Sequence, residues 1–153
     1  MPKMILLPRR IGELKKELEP GDRIVITTCS VCPEECGVRV KSIARELSRE
    51  YSVVGFVRYP VSCIMDYVEE FKPRVASRNP TALVVMACTA AVKAHEKLYP
   101  NLKVVEGCVT VGVGAQDPSG EYLECIIPCR GMEEYRGLRI KMYNGEVVWG
   151  GGE

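Results

Sequence analysis

With 153 residues, 21 Lys+Arg against 20 Asp+Glu and a formal charge of +1, the chain can enclose one full hydrophobic core, but it has no charge excess for nucleic acid or an anionic membrane. No apolar run approaches the about 18 residues of a membrane span, and residues 1–10 carry no secretory leader, so a cytoplasmic protein is expected. Eight cysteines are many for such a protein, because reduced cytosolic thiols cluster chiefly where they bind metal or do chemistry.

In chain order, Ile11, Leu14 and Leu18 recur at helical spacing until Pro20-Gly21 stops them. Residues 23–28, RIVITT, form an apolar β-branched run, as in a strand buried on both faces. Cys29, Cys32 and Cys36 follow. Pro33 with Glu34 and Glu35 predicts a helix start, and the stripe Val40, Ile43, Ala44, Leu47 carries that helix to about Tyr51. Residues 52–57, 81–88 and 102–107 predict three more buried strands, with a short helix ending near Phe71 and another over TAAVKAHEKLY, stopped by Pro100.

The expected fold is α/β: a four-stranded parallel sheet of the Rossmann or flavodoxin kind, strand order 2-1-3-4, with helices on both faces. Residues 130–153 predict a small C-terminal antiparallel β annex of the same domain, with a hairpin turn at Asn144-Gly145. Residues 1–129 form the expected metal-binding part. The glycine-rich GCVTVGVGAQDPSGE lacks the strand-to-helix phosphate fingerprint and reads as no nucleotide site. His95, amid Lys93, Glu96 and Lys97, reads as a solvated surface residue, and Asp66, Glu69 and Glu70 as a solvated helix face.

The cysteines fall at strand ends. Cys29 closes the first strand, Cys63 lies six residues past the second, Cys88 closes the third and Cys108 follows the fourth. In a parallel sheet these positions share the carboxyl edge, where open α/β sheets bind their ligands. Strands one and three are neighbours in the expected order, so Cys88 is the expected fourth partner of Cys29, Cys32 and Cys36. Cys63, Cys108, Cys125 and Cys129 remain as alternative or second-site ligands, and the last two could instead form a disulfide. A helix start at Cys32 would also favour its thiolate. Four thiolates suit iron–sulfur or zinc. Structural zinc usually takes two C-x2-C knuckles and this chain has one, so a cluster fits ligands from several loops better. Against both stand cysteines that merely pack as small hydrophobes, and a thiol–disulfide protein using Cys29 and Cys32. The scarcity of His and Gln beside abundant Val, Glu, Lys and Arg leans towards a thermophilic source.

RIVITTCSVCPEEC, SCIMD, VVMACTAAVKA and VTVGVG, in this order, resemble the methylenetetrahydrofolate reductase C-terminal domain family, whose members include the MetV-type cysteine-rich partner subunit. The resemblance spans residues 11–129. It implies a metal-bearing α/β domain, with Cys29, Cys32, Cys36, Cys63 and Cys88 at the motif positions. It implies an accessory role, electron transfer or scaffold, beside the flavin-containing catalytic subunit of a reductase of one-carbon metabolism. The expected cofactor is an iron–sulfur cluster of the 4Fe-4S type, with zinc as the alternative. Ser30 and Thr89 stand where the family tends to have glycine.

Overall fold

A computed structural model describes residues 3–142. The first surprise precedes the predicted helix: Lys3–Pro8 is a strand, β1. Helix α1 (Ile11–Glu17) follows, then β2 (Arg23–Cys29), α2 (Cys32–Glu35), α3 (Val40–Leu47) and β3 (Ser52–Tyr59). Next come α4 (Met65–Glu70), α5 (Lys72–Ala76), β4 (Ala82–Met86), α6 (Thr89–Leu98) and β5 (Lys103–Glu106). The chain then runs through β6 (Cys108–Gln116), β7 (Tyr122–Pro128), a 3-10 turn (Glu133–Tyr135) and β8 (Arg139–Lys141).

These strands make two sheets of four. One is parallel, in the order β3-β2-β4-β5; the other is antiparallel, in the order β1-β6-β7-β8. The expectation of a single Rossmann-like sheet with a C-terminal annex is therefore wrong. The second sheet is as large as the first, it draws in the N-terminal strand, and β7 and β8 join across the expected boundary at residue 129. The hairpin expected at Asn144-Gly145 lies outside the described residues.

Two local causes hid the antiparallel sheet. Residues 108–116 look like a glycine-rich loop, yet their glycines sit where strands crowd. A Cβ on Gly114 would stand 2.2 Å from the Glu124 carbonyl oxygen, and one on Gly112 2.6 Å from Cys125 Sγ. Glycine is the residue that lets backbone approach this closely. In β1, the register slips between Ile5 and Leu6, so two consecutive side chains are fully buried and the alternation that marks a strand is lost.

The helix expected from Pro33 to Tyr51 is two helices. Gly37, at φ +71°, breaks it, and α3 begins at Val40. In the parallel sheet the central strands β2 and β4 are covered on both faces: Ile24 to Ile26 and Ala82 to Met86 are fully buried. Among the described residues no helix is long and apolar enough to cross a membrane.

Candidate metal centre

The carboxyl ends of β2, β3 and β4 lie level. Cys29 pairs with Tyr59 at the end of β3, and Thr28 with Met86 at the end of β4. The loops leaving those ends bring four thiols to one place. Cys29 ends β2, Cys32 opens α2, Cys63 sits in the loop before α4, and Cys88 caps the N-terminus of α6. All four line a cavity of about 460 Å³. The antiparallel sheet closes it from the other side with Lys3 and Met4 of β1 and Val113 of β6, while Val31, Pro33 and Val61 make its walls largely apolar.

The third cysteine of the sequence triplet is turned elsewhere. Cys36 Sγ accepts the Leu6 backbone N–H at 3.3 Å and donates to the Met4 carbonyl at 3.4 Å, holding α2 against β1. It is not among the residues lining the cavity. Cys63 lines it instead. Distance along the sheet made Cys88 the obvious partner of Cys29, but β3 flanks β2 as closely as β4 does. The loop after β3 folds back far enough for the Ser62 N–H to donate to Cys29 Sγ at 3.4 Å. Cys108 is fully buried at the start of β6, Cys125 is buried in β7 and Cys129 follows that strand. All eight cysteines are free thiols, so Cys125 and Cys129 are not bridged.

Burial sets the thiol chemistry. It pushes Cys32 up to about 11, opposed by a backbone hydrogen bond with Met4 and reinforced by the Cys88 and Cys29 thiols. Cys63 is raised for the same reason, with Cys88 and Cys29 adding to it. The expectation that a helix start would favour the Cys32 thiolate is thus reversed: α2 is a single turn, and desolvation outweighs its N–H groups. Burial likewise raises Cys36 to about 11 and pushes Cys108 up further.

Two features bear on what the cavity accommodates. Ser62 is 1% exposed and lines the cavity, and its hydroxyl oxygen has no hydrogen-bond partner among the described residues. A buried hydroxyl without a partner is costly, and this one belongs to the wall of the space the thiols surround. In addition, among the described residues no three His, Cys, Asp or Glu side chains converge tightly enough to hold a single metal ion. The four thiols share the wall of one volume. Soft thiolate donors around a roomy, apolar cavity fit an iron–sulfur cluster. At the rim, Lys3 Nζ lies 2.9 Å from the Glu35 carboxylate, tying β1 to α2.

No family model, curated protein or solved structure matches the chain. The family resemblance therefore rests on the motif residues alone.

Sequence reasoning missed Ser62, whose only signal is its place beside Cys63, and the contribution of β1. It also misplaced His95, which is fully buried. His95 Nδ1 donates to the Ala91 carbonyl at 2.7 Å, so Nε2 accepts the Thr27 hydroxyl at 3.0 Å. Tyr59 and Tyr99 pack on its ring, and burial lowers its pKa below the usual histidine value. Asp66, Glu69 and Glu70 are exposed. The glycine-rich stretch forms β6 and a turn in which Asp117 accepts the Ser119 hydroxyl at 2.6 Å and pairs with Arg139 at 2.7 Å.

Proposed function

We propose that Cys29, Cys32, Cys63 and Cys88 hold an iron–sulfur cluster, of the 4Fe-4S kind, and that the chain serves a redox enzyme as an electron-transfer or scaffold subunit. The observation that carries this reading is the convergence of four thiols from three loops on one cavity. When bound, such a cluster supplies one-electron transfer.

The chain's own residues do the rest. The four thiols bind, and the Ser62 N–H fixes the Cys29 sulfur. The largely apolar walls lower the polarity around the sulfurs, which tunes a redox centre. A structural zinc site usually pairs two C-x2-C knuckles, and this chain has one, Cys29 and Cys32.

The family resemblance supplies the partner in this reading: a flavin-containing reductase subunit of the methylenetetrahydrofolate reductase type. Two exposed apolar residues near the cavity support a protein partner there. Ile64, 46% exposed, follows Cys63, and Ile127, 63% exposed, pairs with Val113.

The test is anaerobic purification followed by iron, acid-labile sulfide and zinc analysis with an absorption spectrum. The reading expects iron and sulfide in equal amounts and a brown protein absorbing near 400 nm, roughly, as thiolate-bound clusters do. Iron-free protein after reconstitution with iron and sulfide contradicts it, and stoichiometric zinc in its place favours a structural site.

A further inference from the structure

A second cavity, of about 330 Å³, lies at the edge of the parallel sheet, away from the thiols. β3 is the outermost strand there, and the cavity runs between its residues Gly55 to Arg58 and the segment from Phe71 to Arg78. Three arginines line it, Arg58, Arg74 and Arg78, and no acidic residue is among the described residues that do. The chain as a whole is nearly neutral, so this is a local concentration of charge.

Several features build this groove. The β2–β3 register shifts between Ile24 and Val25, so that Val53 and Gly55 face consecutive residues and Val54 is extra. Bulges of this kind re-aim an edge strand. The bulge brings Gly55 to the groove, where a Cβ would meet Arg78 Cγ at 3.2 Å and Val25 Cγ2 at 3.3 Å. Glycine therefore leaves the floor open down to Val25. The far wall is clamped: Arg23 donates to the carbonyls of Arg78 and Asn79 at 3.1 and 3.0 Å, fixing a turn in which Asn79 takes φ +52°. A non-glycine residue at positive φ costs energy, so this turn is held by its surroundings.

The arginines are not equivalent. Arg58 is paired with Glu34. Arg74 holds its guanidinium over the Phe71 ring, 5.0 Å from the centroid, and has no carboxylate partner among the described residues. Its guanidinium N–H groups have no acceptor among the described residues, and a guanidinium offers a planar fork of donors that fits an anion. The Arg78 side chain likewise has no carboxylate partner among the described residues, although its backbone is anchored. Two guanidinia without acids match the roughly −1.5 to −2 charge of a phosphate monoester. Phe56, 39% exposed, and Phe71 offer an apolar wall to whatever carries that phosphate.

We propose that this groove binds a small phosphorylated molecule, with Arg74 and Arg78 on the phosphate and the two phenylalanines on its body. The site is independent of the thiol cavity and stands whether or not that cavity holds a cluster.

The test is isothermal titration of the full chain, in low salt, with phenyl phosphate and with inorganic phosphate. Saturable one-to-one binding is expected, tighter for phenyl phosphate. The exposed double variant Arg74→Gln/Arg78→Gln should weaken it by about tenfold or more, as expected for lost charge-assisted hydrogen bonds. Arg39→Gln/Arg130→Gln, with the same charge change at exposed sites off the groove, should leave it unchanged. Absence of saturable binding, or equal weakening by both double variants, overturns the proposal. Binding of an oligo-glutamate peptide with none of either phosphate also overturns it, in favour of an acidic protein segment.

Discussion

Cysteine plays two parts in this molecule, in two regions that touch. At the carboxyl edge of the parallel sheet, Cys29, Cys32, Cys63 and Cys88 surround a cavity. Behind it, where β1 and β6 pair, Cys36 and Cys108 are buried and do not line that cavity. Cys36 has both a donor and an acceptor in the β1 backbone, and Cys108 is wholly enclosed in the core. Burial raises the pKa of Cys32 as it does those of Cys36 and Cys108, so a raised pKa does not tell a cavity thiol from a small hydrophobe. What separates them is whether the sulfur faces open volume or is already satisfied by its neighbours.

The sharpest way to break this comparison is to remove one cysteine from each region. Cys88→Ala should lose most bound iron, because a cluster site short of a ligand fails as a unit. Cys108→Ala should keep its iron and lose about 1–2 kcal/mol of stability in urea, the usual cost of a small cavity in a core. Iron analysis beside denaturation curves checks both. If Cys108→Ala loses iron as completely as Cys88→Ala, the two regions are one site.

How much of this was legible beforehand follows from periodicity. The strands at 23–29, 52–59 and 82–86 could be read because each is a short β-branched run between turn residues, alternating with helical stripes. That pattern also put their cysteines on one edge. The antiparallel sheet could not be read in the same way. Its glycines mark the close approach of β6 to β7 but look like loop composition, and the bulge in β1 erases alternation in a strand of six residues. One helical turn from Cys32 suggests a shared face for Cys36, yet Cys36 does not line the cavity. The Leu6 N–H and Met4 carbonyl of β1, a strand that the sequence pattern does not reveal, hold its sulfur. His95 looked solvated because its sequence neighbours are charged, whereas its partner Thr27 is 68 residues away.

A second prediction tests the packing beneath the site. His95 is the chain's single histidine, buried with a lowered pKa. The unfolded chain takes up a proton near its ordinary value of about 6.5, and the folded chain resists it. This contribution is therefore fully present above about pH 6.5 and is lost as pH falls from there towards the folded value, by at most about 1.4 kcal/mol per unit. Urea denaturation between about pH 7.5 and 5.5 should show this slope, and His95→Gln should flatten it. An unchanged slope in the variant would assign the loss to other groups.

Ser62 should give the smallest effect and sharpen the comparison most finely. Without metal, Ser62→Ala should match or exceed the wild type in stability by up to about 1 kcal/mol, since it deletes a buried hydroxyl with no partner. With iron bound, the same variant should keep its metal but move to a more negative midpoint potential, because hydrogen bonds to cluster sulfurs raise it. Equal potentials in variant and wild type would show that the hydroxyl does not reach the bound group.

The most direct test of the central assignment sets Cys63→Ala against Cys36→Ala, each reconstituted anaerobically and assayed for iron, sulfide and the absorption band. Cys63 lines the cavity and Cys36 is spent on the β1 backbone. Cys63→Ala should therefore lose the cluster while Cys36→Ala retains it. Loss in Cys36→Ala with full retention in Cys63→Ala would contradict the account.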